Sequence, residues 1–385
     1  MNFMVVIMSL IIIFIYIAMW YYVGRNIKKI FQHRKINLKI YWAVFWIMAF
    51  AYIISRLVSS ILTVNNIVSV IFSFVGAITL SLFIYLLLGF LISDLFRVVF
   101  KIIKLNEKYK QKIRSIYGNG LIVLIITAII VCSGFVVALN PKTTEYKINI
   151  NKAIGNKQSL NIVLVSDVHI GIGVRERGID KMVDSINKLQ PEVVFFAGDV
   201  FDESSTTALK EYYSQACKKI NSKYGVYAIT GNHEYFQNFD ESIEYYKKAN
   251  ITVLQDEVVK VNNQFYVVGR KDTASESRTN EKIKSLDILL RNIDRNLPII
   301  VLNHKPEDLK SAENEKVDLQ LSGHTHNGQI FPGNIIIKKV FEDPYGYLKK
   351  NDFNLVVTSG YGTWGPPIRI GTQGEIVNIK MYGNK

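Results

Sequence analysis

Hydrophobic and polar positions divide the 385-residue chain into two unlike parts. Four long apolar runs come first, at residues 3–23, 40–62, 67–92 and 121–139. Each approaches or exceeds the roughly 20 helical residues that a bilayer core requires. Residues 1–140 are therefore expected to form a membrane domain, a bundle of four transmembrane helices. The first run lacks a basic flank and a small-residue cleavage site, which argues against a removable signal peptide. From residue 160 the period changes. Runs at 160–165, 193–196 and 226–229 are short, continuous and rich in β-branched or aromatic residues, as in strands buried on both faces. Between them Ile179, Met182, Val183, Ile186 and Leu189 recur at helical spacing. Leu209, Tyr212, Tyr213, Ala216 and Ile220 do the same, and a third helix is expected near 239–249. Further strands are expected at 258–261 and 265–268, a hairpin around Asn262-Asn263, and at 298–302, 317–321, 355–358 and 375–381. Alternating strand and helix over 160–385 predicts an α/β domain with a partly parallel sheet. Residues 141–159 read as a polar linker with a short edge strand at 146–150, and 271–280 as a polar loop.

Composition sharpens the division. Hydrophobic residues make up 49% of the chain, too many for disorder. Residues 1–140 hold 14 Lys and Arg against 2 Asp and Glu, and the rest holds 32 against 30. The basic excess thus belongs to the apolar part, so no nucleic-acid partner is expected of the folded domain. Two segments carry that excess: 24–39 has six basic residues and 93–119 has seven, whereas 63–66 has no charge. The positive-inside rule places both basic segments in the cytoplasm. The chain is then a multi-pass protein of the plasma membrane, and everything after Leu139 is extracytoplasmic. Arg56 and Asp94, near the ends of their runs, are expected to snorkel to the headgroups. Cys132 and Cys217 are too few for a disulfide framework or a thiolate zinc site.

Candidate chemistry sits where predicted strands end. Five motifs stand there: Ser166-Asp167-Val168-His169, Gly198-Asp199-Val200-Phe201-Asp202, Gly231-Asn232-His233-Glu234, Asn303-His304-Lys305-Pro306 and Gly323-His324-Thr325-His326. Ligand crevices of open α/β sheets lie at the carboxyl ends of strands. Five of the six histidines fall in these motifs; His33 is left in a basic segment. Nitrogen and oxygen donors without thiolate suit Mn²⁺, Fe, Zn²⁺ or Ni²⁺.

In this order the five motifs resemble the calcineurin-like metallophosphoesterase superfamily, over residues 160 to about 380. The resemblance implies a four-layer αββα sandwich with two mixed sheets. It implies two divalent metal ions, Mn²⁺ foremost. Asp167, His169 and His326 would hold the first, Asp199 would bridge both, and Asn232, His304 and His324 would complete the second. His233 would be a non-ligand acid, with Asp202 orienting it; the other reading of Asp202 is a helix N-cap before 203–209. The segment from Gly360 to Arg369 is similar to a branch whose members are membrane-anchored or exported. Many relatives carry glycine where Asn327 stands, which points to altered substrate contact there.

The residue types make physical sense together. Two ions about 3.5–4 Å apart can clamp a phosphoryl group and lower the pKa of a bridging water, so hydroxide attacks and no Ser or Cys nucleophile is needed. The leaving alkoxide does need a proton, which an imidazole can supply. Arg175, Arg177 and Arg369 read first as solvated surface charges and second as phosphate partners. Tyr361 and Trp364 suit base stacking, the headgroup layer, or packing under a Gly/Pro-rich loop. The favoured function is a membrane-tethered phosphohydrolase of phosphoester, phosphodiester or pyrophosphate bonds, its substrate lipid-linked or part of the cell envelope. The alternatives are an extracytoplasmic nucleotide phosphoesterase and a non-catalytic, metal-stabilised membrane receptor or scaffold. Oligomeric state has no signature in the sequence.

Overall fold

The computed structural model describes residues 3–31, 35–61, 67–103, 120–279 and 282–384. The chain divides into two compact units, Met1–Gly134 and Phe135–Lys385.

The first unit contains helices α1 (Phe3–Ile30), α2 (Leu38–Ile61) and α3 (Ile67–Ile102) and most of α4 (Leu121–Ala138). All four are long and apolar enough to cross a membrane. Trp20, Val23, Ala49, Phe83, Leu86, Phe90 and Val123 pack among them, with Trp20 stacked on Phe83 at 4.2 Å. Two helices outrun their apolar stretches: α1 continues beyond Val23 to Ile30, and α3 beyond Ile92 to Ile102. Part of the expected basic loop at 93–119 is therefore helical, because Lys and Arg are good helix formers and favour a helix C-terminus. Within that extension Asp94 is paired with Arg97 at 2.7 Å and accepts from the Tyr22 hydroxyl at 2.6 Å. The side chain of Arg56, His33, residues 63–66 and residues 104–119 lie outside the described residues.

The second unit has two six-stranded mixed sheets. The first runs in the order β1 (Lys142–Asn149), β12 (Glu375–Tyr382), β2 (Ser159–Val165), β3 (Val193–Ala197), β4 (Val226–Ile229), β5 (Thr252–Val253). The second runs β10 (Gly346–Lys350), β11 (Phe353–Val357), β9 (Leu319–Ser322), β8 (Ile299–Leu302), β7 (Phe265–Gly269), β6 (Glu257–Val261). Side chains alternate across each strand, and the burial follows. Leu160, Ile162, Leu164, Phe195 and Ile379 of the first sheet meet Val267, Ile300, Leu302, Leu321 and Val356 of the second. Val163, Val165, Val194 and Phe196 point the other way, under α5 (Glu176–Lys188), α6 (Thr207–Cys217) and α8 (Phe239–Lys248); α7 (Asn232–Phe236) follows β4. The outer face of the second sheet, with Val268, Val301 and Leu355, is covered by α10 (Leu286–Leu289) and α11 (Leu309–Asn314). The result is the expected αββα sandwich.

Some elements depart from the sequence pattern. The edge strand begins at Lys142, four residues earlier than its apolar pattern suggests, because β12 pairs with it in parallel along its whole length. The polar segment 271–280 contains helix α9 (Ala274–Thr279). Strand β10 and helix α12 (Gly333–Val340) have no counterpart among the expected elements; neither has a fully buried face to impose a period. The hairpin turn does form: residues 262–264 join β6 to β7, with Asn262 and Asn263 both left-handed (φ 47° and 55°), a region that asparagine tolerates.

Strand directions set the site. β2, β3 and β4 are parallel, as are β7, β8, β9 and β11. Their carboxyl ends carry all five motifs. β12 is antiparallel to β2 and parallel to β1. Lys142 and Glu375 therefore stand at the same sheet end as Val165.

Candidate active site

Strand ends bring the motif residues together by bending the backbone hard. Asp167, His169, Asp199, His324 and His326 all have positive φ, between 46° and 69°. For residues with a Cβ this costs about 1–2 kcal/mol each, and such strain persists where surrounding structure dictates the geometry. Asn327 is left-handed too, at φ 49°. Asparagine tolerates this region, as would the glycine that the resemblance implies there. Gly231 is required for another reason: a Cβ there would overlap Asp199 Oδ1 and come within 2.7 Å of His304 Nε2.

Three triads of donor atoms result, each mutually within 4.8 Å: Asp167, His169 and His326; His169, Asp199 and His233; Asp199, His304 and His324. Asp199 and His169 each belong to two of them. Asn232 opens α7 directly after Gly231, buried, with its Oδ1 unpartnered.

The chemistry of the donors calls for cations. His304 Nδ1 lies 2.7 Å from the Ala197 carbonyl. A carbonyl only accepts, so Nδ1 carries a proton, and Nε2 lies 3.0 Å from Asp199 Oδ2. Either a second proton on Nε2 or a cation must sit between them. Burial disfavours charge on His304, yet the carboxylate outweighs burial and lifts the imidazole to about 10. Burial would also raise Asp199, but His304, His233 and His169 hold it well below the usual carboxylate range. A positive charge is wanted between them. His169 and His326 approach through their Nε2 atoms at 3.0 Å, rings nearly parallel. Burial depresses His169 to about 3, so this pair is neutral and offers lone pairs. The residues present fit divalent metal.

Asp202 does not reach His233 as expected. Its Oδ1 accepts from the Ser204 amide (2.7 Å) and hydroxyl (2.6 Å), and its Oδ2 lies 4.0 Å from His169 Nδ1. Nor is it an N-cap, for α6 starts at Thr207 with Thr206 as its cap. The short polar turn at Ser204-Ser205 draws the carboxylate back on itself. The carboxylate nearest the His233 Nδ1 is instead Glu203, at 3.8 Å. Arg369 is also not a surface charge. It is fully buried and donates to the carbonyls of Ser359 (2.7 Å), Gly360 (3.2 Å) and Gly362 (2.6 Å), fastening the loop behind His326. Arg175 and Arg177 are exposed, as expected. Tyr361 is buried, its hydroxyl donating to Gly178 O; Trp364 is exposed at 5.8 Å from the His233 ring.

Glu234 has a role that the sequence reading gave to no residue. Its buried carboxylate accepts from the amides of Asp199 (3.1 Å), Val200 (2.7 Å), Phe201 (3.1 Å) and Gly231 (2.9 Å), locking two motif loops together. Its place three residues after the N-capping Gly231 is capping-box spacing, the signal that points to it. Glu234→Ala strands four amides, so stability should fall by at least about 3 kcal/mol. Melting curves of the detergent-solubilised chain should show this, with Glu234→Gln intermediate; an unchanged melting temperature would refute the role.

Comparison with known proteins agrees with this arrangement. The family model described as calcineurin-like phosphoesterase matches residues 160–328. An uncharacterized metallophosphoesterase of Aquifex aeolicus is 31% identical over 228 residues, covering 58% of this chain and 85% of that protein. One of Campylobacter jejuni is 31% identical over 287 residues, 73% of this chain and 74% of the relative. A zebrafish (Danio rerio) transmembrane protein with metallophosphoesterase domain is 29% identical over 279 residues, 69% of this chain and 63% of its own length. Four bilayer-length helices precede a sandwich whose strand ends gather histidine, aspartate and asparagine: the chain is a membrane protein that belongs to the calcineurin-like phosphoesterases, metal-dependent hydrolases of phosphoester bonds.

Proposed function

We propose that the five loops hold two divalent ions, Mn²⁺ foremost, and that the enzyme hydrolyses phosphoester, phosphodiester or pyrophosphate bonds of lipid-linked or envelope substrates outside the cell. The observation that carries this reading is the sharing of Asp199 between donor triads, its two carboxylate oxygens serving different neighbours. Asp167, His169 and His326 would hold one ion, and Asn232, His304 and His324 the other, with Asp199 common to both. Two such ions supply Lewis acidity to the phosphoryl group and acidify the attacking water. The chain does the rest. The His233 amide donates to Asp199 Oδ1 at 2.8 Å and fixes that carboxylate's orientation. The buried His233 ring, edge-on to the exposed Phe236 and Trp364, would give its proton to the leaving alkoxide oxygen.

Full-length protein in detergent, stripped and reloaded with Mn²⁺, should cleave bis-p-nitrophenyl phosphate. No turnover with any divalent ion would refute the reading.

Sidedness is tested separately. Thirteen basic residues lie in 24–39 and 93–119 and none in 63–66, a bias worth about 1 kcal/mol per charge near an anionic leaflet. Protease added to intact cells should therefore degrade the part after residue 140, and a reporter fused at Lys385 should score as exported. Full protection, with a reporter active only in the cytoplasm, would move the substrates inside the cell.

A further inference from the structure

Helix α12 is unusual in the second unit because none of its eight residues is buried. Its sequence, Gly-Asn-Ile-Ile-Ile-Lys-Lys-Val, is nevertheless apolar through Ile335, Ile336 and Val340; Ile336 is 62% and Val340 66% exposed. A soluble surface seldom leaves adjacent large aliphatics open in this way. The helix is joined at both ends to the catalytic loops. It follows the His326–Gly328 turn, and Phe341, just after it, packs edge-on against His324 at 6.1 Å. Gln329 ties it across the rim, donating to Trp364 O (3.0 Å) and accepting from Trp364 N (2.8 Å). Trp364 and Phe236, the latter 66% exposed, both lie 5.8 Å from the His233 ring. Ile335, Ile336, Val340, Phe236 and Trp364 thus add exposed apolar surface to the segments that carry the site.

Two further observations identify what covers them. Lys338 and Lys339 are exposed on the same helix, so the apolar rim carries positive charge. The chain also reaches β1 at that sheet end, since Lys142 pairs with Glu375 beside the close of β2, and only three residues separate Ala138 of α4 from Lys142. We infer that α12, with Phe236 and Trp364, is an interfacial docking surface that sets the mouth of the site on an anionic lipid bilayer. Aliphatic side chains enter the boundary between headgroups and acyl chains, and lysines meet the lipid phosphates, as for amphipathic helices lying in a membrane interface. A phosphoester held at headgroup depth then reaches His233 without leaving the bilayer. This selection by depth rests on the proposed hydrolase reading; the docking itself does not.

The test uses the full chain in nanodiscs, with Cys132→Ser removing the exposed thiol. An environment-sensitive NBD label on Ile336→Cys should be quenched by doxyl-labelled lipid in phosphatidylglycerol-containing discs. The same label on Lys247→Cys, near the end of α8 at the opposite sheet edge, should not be. Lys338→Glu with Lys339→Glu should weaken the lipid contact about tenfold or more, while turnover of bis-p-nitrophenyl phosphate stays unchanged. Equal quenching at both positions, or none, overturns the proposal. So does a blue-shifted label that doxyl-labelled lipid leaves unquenched, which would mean that protein and not lipid covers the helix. Lipid contact without any phosphoesterase turnover would instead defeat the hydrolase reading alone.

Discussion

Asp199→Ala is expected to abolish hydrolysis of bis-p-nitrophenyl phosphate and to lower bound metal at the same time. The carboxylate is buried, takes part in two donor triads, lies 3.0 Å from His304 Nε2 and accepts from the His233 amide. Removing it takes away the carboxylate shared by the two triads and leaves the His233 amide without its acceptor. Asp199→Asn is the sharper variant. It keeps the shape, but its neutral amide can offer a cation only one oxygen. Metal content by mass spectrometry and turnover should fall together. Wild-type turnover at wild-type metal content would sink the shared-carboxylate reading.

His233→Ala should separate chemistry from metal binding. The ring lies within 4.8 Å donor distance of His169 and Asp199, so geometry permits it to be a ligand. Its place at the rim, edge-on to Phe236 and Trp364, suits a group that meets substrate. As a proton donor it contributes about 10²–10⁴ in rate. The loss should be large for an alkyl ester and much smaller for a p-nitrophenyl ester, whose leaving group hardly needs the proton. Metal content should be unchanged. Its collapse would show that His233 binds metal.

Most of what was legible in the sequence is local. Central strands announce themselves by continuous β-branched runs, and the motif histidines by standing immediately after them. What stayed hidden depends on contacts distant in sequence or on the absence of burial. Arg369 looks like a surface charge because nothing nearby in sequence shows that three carbonyls, seven to ten residues upstream, close around it. Asp202 was expected to reach for His233, but Ser204 holds its carboxylate at shorter range through both amide and hydroxyl. The run Ile335-Ile336-Ile337 has the β-branched character of a strand, and its helix packs on no core that would give it a period. Glu234 is a charged residue beside a histidine, and only the fold shows four amides converging on it.

Parallel pairing of β1 with β12 governs the order in which the molecule can be made. Their first residues, Lys142 and Glu375, are about 230 positions apart, and β12 also supplies the neighbour that β2 needs on its inner edge. During synthesis the strand next to the last apolar helix emerges early and waits, unpaired, for nearly the whole domain to follow. Closing so long a loop is slow, since its entropy is lost before the contact forms. The domain therefore stays open until its final strand is available. The same pairing makes the carboxyl-terminal strand the piece that completes the sheet beside the anchor. A chain cut short before residue 375 would keep its helices and its metal-binding motifs, yet leave two strands with no partner between them.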